Sequence, residues 1–124
     1  VAITAEPLMP TPLMAIIIGG IGGALVFFGT ELLTKLKIDD VVGAIPVHLI
    51  AGVWGTLAVP ITNPDTSFGT QFLGTASICV FVFVVSIIIW ALMKATIGIR
   101  ISEEAEKEGT DVAETGVIAY SIRD

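Results

Sequence analysis

Charged positions along this 124-residue chain are gathered into a few short stretches. Between them lie three runs without a formal charge, 7–30, 41–64 and 66–93. Each is long enough to supply the ~20 apolar residues that cross a bilayer. The third, centred on the Cys79–Trp90 stretch, is apolar on every face. Its β-branched residues would suit a strand in water. In lipid an isolated strand leaves its backbone groups unpaired, so the pattern predicts a helix. The expected class is all-α integral membrane. Transmembrane helices are predicted over 7–34, 41–61 and 71–99, joined by loops 35–40 and 62–70 and followed by a tail, 100–124. Residues 1–6 are too few to span and read as the end of a preceding transmembrane helix. With Val1 in place of Met and no basic leader, the chain is expected to be a piece of a longer protein.

Composition supports this and removes several alternatives. Of all residues 54% are apolar and only 15% charged, with a mean hydropathy of +0.93; soluble domains carry about 25% charged residues. No basic surface exists for nucleic acid, and the single cysteine, Cys79, cannot form a disulfide within the chain. The net charge of −6 is concentrated in residues 101–124, where seven acids face Lys107 and Arg123. The remaining bases set the orientation. Lys35 and Lys37 precede the second run, Lys94 and Arg100 follow the third, and 61–68 has no base. By the positive-inside rule, loop 35–40 and the tail are cytoplasmic and the Asn63-Pro64-Asp65 turn is external. The setting expected is a cell (inner or plasma) membrane, crossed several times.

Small residues mark where helices are expected to meet. Gly19 and Gly23 are spaced to share one helix face, and Gly43, Ala51 and Gly55 repeat the device in the second run. Transmembrane helices also tolerate glycine more generally. His48 is the only ionisable residue within the three runs. Counted from a helix start near Asp40 at about 1.5 Å per residue, it lies roughly 12 Å deep, near the midplane. Such a residue marks either a functional site or a hydrogen-bonded bridge between helices. Its surroundings favour the former. Pro46 precedes it and is expected to kink the helix, while Ala44, Gly52 and Thr56 keep its face small. A neutral imidazole offers one donor and one acceptor, which suits a small hydrogen-bonding molecule. Metal binding does not fit, as no second ligand stands at the right spacing, and no cofactor is expected. No nucleophile–base pair or paired intramembrane carboxylates can be assembled, so an enzyme is not expected.

The stretch Asp39-Asp40-Val-Val-Gly43-Ala-Ile-Pro-Val-His48-Leu-Ile-Ala-Gly52-Val-Trp-Gly55-Thr-Leu resembles a segment of ammonium transporters of the Amt/Mep/Rh family. The tail, with Arg100, Glu104, Gly109, Asp111, Glu114, Gly116 and Tyr120 in frame, is similar to that family's cytoplasmic end. The resemblance implies the last three helices of an eleven-helix, inverted-repeat transporter. Asp39 and Asp40 would begin the pore helix on the cytoplasmic side, and Gly43, Gly52 and Gly55 would pack it. His48 would be the second of two pore histidines, its partner lying on a helix of the first repeat. Ammonium would lose its proton outside, ammonia would pass the paired imidazoles, and the proton would travel separately.

For the tail, Ser102 can cap a short acidic helix that Gly109 ends; a solvated acidic end is the plainer reading. The resemblance implies that this region packs in a homotrimer and helps bind a PII signalling protein. Thr110, Thr115 and Val117 depart from the usual pattern and weaken the PII expectation. Two other readings stay open: an ammonium-sensing, transporter-like module coupled to a signalling partner, and a small three-span structural or pore protein with His48 as interhelical glue.

Overall fold

A computed structural model describes residues 1–119, and within them every regular element is helical. Helix α1 covers Pro12–Lys35. Thr11 caps it, its Oγ1 accepting from the Met14 amide at 3.3 Å, and Pro12 sits where its missing N–H is not needed. The other end closes without glycine. Lys37 takes a left-handed φ of 56°, while the Lys37 and Ile38 amides donate to the Thr34 and Leu33 carbonyls. These are the two bonds of a Schellman motif, and Lys35 adds positive charge at the favourable end of the helix dipole.

Helix α2 runs over Ile45–Thr62. It is π-helical across Ile45–Ile50 and α-helical across Ala51–Thr62. Pro46 therefore lies at the start of this helix, where its absent N–H leaves no gap; the proline inside it is Pro60. The kink expected at Pro46 is replaced by a wide π turn, in which the Ala51 amide reaches back to the Pro46 carbonyl. An Asn63 turn follows, the Asp65 amide donating to Asn63 Oδ1 at 3.0 Å. Helix α3 covers Phe68–Thr96, opened by Ser67, whose Oγ accepts from the Thr70 amide. These three helices are long and apolar enough to cross a membrane.

The chain divides into two compact units, Val1–Val82 and the part from Phe83 onward. In the first, α1 packs on both the π and α portions of α2. The contact is built from small side chains, with Ile18, Gly22, Gly29, Pro46, Ala51, Gly55, Ala58 and Val59 buried. Residues 2–5 form turns, and Ala2 is wedged between the two helices. A Cβ on Gly22 would lie 2.5 Å from Ala2 Cβ, and one on Gly55 would meet the Ala2 carbonyl oxygen. Trp54 Nε1 donates to the Ile18 carbonyl at 3.0 Å, a cross-helix bond that sets the register. The glycines that permit close approach are thus Gly22, Gly29 and Gly55. Gly19 and Gly23, expected to do so, have nothing within 4 Å. They line a space shared with Val47 and Ala51 of α2, without close contact across it. Gly43 precedes α2, with φ +69°.

In the second unit α4 covers Glu103–Glu108 and a π turn covers Asp111–Thr115. Ser102 caps α4, its Oγ accepting from the Ala105 amide at 3.2 Å, and Gly109 ends it with φ +105°.

Candidate functional site

The start of α2 positions the histidine. The carboxylate of Asp40 spans the Gly43 turn and takes two donors from the helix start, the Ala44 amide at Oδ1 (2.8 Å) and the Ile45 amide at Oδ2 (2.7 Å). Both would otherwise be orphaned at a positively polarised helix end. Gly43 makes the reversal possible, since its left-handed φ is costly for other residues. Asp39 is exposed and makes no hydrogen bond among the described residues. Of the two aspartates, the cap is Asp40. Below it Pro46 is fully buried against α1, where a Cβ on Gly29 would come within 3.2 Å of Pro46 Cβ. Cap and buried ring together fix the first turn.

His48 follows directly, three residues into the helix. At about 1.5 Å per residue it lies roughly 5 Å from the helix start, which comes five residues after Asp40. The side chain is exposed and opens on a groove of ≈ 270 Å³ between α2 and the first half of α3. Gly52 and Thr56 share the α2 wall with it, as their spacing from His48 predicted; Ala44 does not. A Cβ on Gly52 would meet only Val1 Cγ1, at an ordinary contact distance of 3.9 Å.

The opposite wall was not anticipated. Gln71, Gly74, Thr75, Ile78 and Cys79 of α3 line it, one face at helical spacing. The opening of α3 is therefore not uniformly apolar, and the polar stripe was readable as Gln71 and Thr75, four residues apart. The apolar centre that follows masked it. The two walls stand apart, with no Cα of Phe68–Val82 within 8 Å of α1 or α2.

At the far end of α2, Asn63 Nδ2 donates to Glu6 Oε2 at 2.7 Å, while Glu6 Oε1 accepts from the Leu8 amide. The Asn63 bond, then the Leu8 amide, hold the Glu6 carboxyl below its ordinary pKa. This ties the segment before α1 to the end of the histidine helix.

In the tail, Glu103 pairs with Lys107 at 2.7 Å, and Arg100 lies 3.6 Å from Glu106. Glu104 sits exposed in the first turn of α4. Asp111 Oδ2 accepts from the Ala119 amide at 2.8 Å, and Gly116 closes the π turn with φ +68°. Tyr120 lies outside the described residues.

A model of the Ammonium Transporter Family matches residues 1–120. Among curated relatives, ammonium transporter Amt2 of Archaeoglobus fulgidus is 36% identical, with 97% of this chain and 30% of the relative covered. The ammonium transporter of Bacillus subtilis is 36% identical over 97% of this chain and 34% of its own length. Amt1 of Haloferax mediterranei is 36% identical over 85% and 21% respectively. The chain thus spans about a fifth to a third of the length of these relatives. A capped histidine helix packed on small residues, three membrane-length helices and a match over nearly every residue agree: the chain belongs to the ammonium transporter family.

Proposed function

We propose that this chain is the C-terminal portion of an ammonium transporter that conducts ammonia while its proton moves separately. His48 is the residue of the conduction path. The observation that carries this reading is His48 itself, an ionisable side chain on a membrane-length helix, facing a groove whose α2 wall is kept small by Gly52. An ammonium ion stripped of water in such a space is unfavourable, whereas ammonia is neutral. A neutral imidazole can donate to ammonia's lone pair or accept one of its N–H groups. With a second imidazole from the rest of the protein, it can also share the released proton. The buried glycine contact between α1 and α2 holds the helix start rigid, so His48 is presented at a fixed position. In this reading the Asp40 end of α2 and the tail are cytoplasmic and the Asn63 turn is external, in a cell membrane.

The unfilled Gly19 and Gly23 face of α1 fits further helices around it, from the remaining repeat or from neighbouring copies in a homotrimer. The acidic tail is the candidate contact for a PII-type signalling protein, with Arg100, Glu104, Gly109, Asp111 and Gly116 as its frame. A pull-down with the host's PII protein that yields no ADP-sensitive binding would remove that partner.

The central test is His48→Ala in the full-length chain, reconstituted in liposomes. Ammonium jumps should no longer evoke selective currents, while expression and thermal midpoint stay close to wild type. Undiminished currents from this variant would overturn the reading.

A further inference from the structure

Thr30, Thr34, Thr56 and Thr96 lie within helices, and each donates its hydroxyl to the carbonyl four residues back, at 2.8–3.0 Å. Thr75 has the same option in the Gln71 carbonyl and does not take it. Its Oγ1 is shielded from solvent and has no hydrogen-bond partner among the described residues. A buried hydroxyl without a partner is uncommon, because losing water with nothing in exchange is unfavourable. Thr75 stands on the wall of the groove that His48 faces, with Gln71 one turn earlier. On the other wall, the Thr56 carbonyl has lost its usual helical donor, since the residue four ahead is Pro60, which has no N–H. His48, Thr56 and Thr75 thus border one space, and the Thr75 hydroxyl has hydrogen-bonding capacity left unused.

We propose that Thr75 is a second hydrogen-bonding station for ammonia, adjoining His48. The inference rests on the reading of His48 as the conduction residue and adds a selectivity element from α3. Ammonia has a lone pair that needs a donor and N–H groups that need acceptors. A hydroxyl supplies both from one atom. An ammonium ion has no lone pair and engages only the acceptor half, so the station favours the neutral form. The hydroxyl is shielded within the groove wall and engages the passing molecule by turning outward about its own side-chain bond.

Thr75→Val keeps the shape and removes both functions; Thr75→Ser keeps the hydroxyl and removes a methyl. In the full-length protein reconstituted in liposomes, T75V is expected to lower ammonium-evoked current about tenfold, as for the loss of one hydrogen bond. Its thermal midpoint should match wild type, and T75S should recover most of the current. Wild-type current from T75V overturns the proposal. So does a T75S current as poor as that of T75V, the outcome of a packing role. His48→Ala run in parallel separates the two ideas. A silent H48A with a normal T75V removes only Thr75, whereas a normal H48A removes the conduction reading beneath both.

Discussion

Gly55 has almost no freedom to change, because the Ala2 backbone occupies the place of its missing side chain. Gly22 faces the same alanine from the other helix. Gly19, Gly20 and Gly23 lie nearby in sequence yet meet nothing within 4 Å. A branched substituent at Gly55 must push the N-terminal segment out or part the helices. Gly55→Val is expected to lower stability by about 2–3 kcal/mol, the range for overpacking a close contact. The thermal midpoint of the full-length protein in detergent measures this, and an unchanged midpoint would show that Ala2 is not held there. Trp54 does the converse work, filling space beside Gly22 while its indole N–H bonds the Ile18 carbonyl.

Helix α2 depends on how it starts. Its first turns are π-helical, its second residue is proline, and its cap comes from a side chain four and five residues upstream. Removing the Asp40 carboxylate orphans two amides just before the histidine. Asp40→Ala is expected to cost about 1–2 kcal/mol, as for loss of a charged helix cap. It should also reduce ammonium flux, since His48 is only a few residues along. Asp39→Ala provides the contrast and should leave both quantities near wild type. Thermal midpoints and liposome currents on the pair check this, and equal effects from the two variants would count against Asp40 as the cap. In α3 the polar stripe is confined to the opening turns, which is why its average character hid it.

For the molecule as a whole, the Glu6–Asn63 bond matters because it joins the segment carrying Ala2 to the end of α2. Glu6 titrates below its ordinary value in the folded protein. A depressed carboxyl stabilises fully above its unfolded pKa, about 4.3 for glutamate. That contribution fades as pH falls through the folded value. Thermal midpoints taken while acidifying through this window should fall more steeply for wild type than for Glu6→Gln, and parallel curves would dismiss the tie. Helix α3 has no buried residue and carries large apolar side chains such as Phe72, Phe81 and Trp90 in the open. Surface of that kind is suited to lipid or to further helices.

The three membrane-length helices were legible along the chain, because a bilayer imposes length and hydrophobicity locally on each segment. His48 was legible for the same reason, as an ionisable side chain in an otherwise uncharged run. The helix start was misjudged, since Asp40 caps from a distance and Gly43 turns the backbone before α2 begins. Of the small residues expected at helix contacts, Ala51 and Gly55 are buried, while Gly19 and Gly23 meet nothing within 4 Å: spacing tells which residues share a face, not what that face meets. The Ala2 wedge, the Trp54 bond and the pairing of Thr75 with the His48 groove each join residues tens of positions apart. Only packing in three dimensions settles such contacts, because they depend on distances between segments that no local pattern encodes.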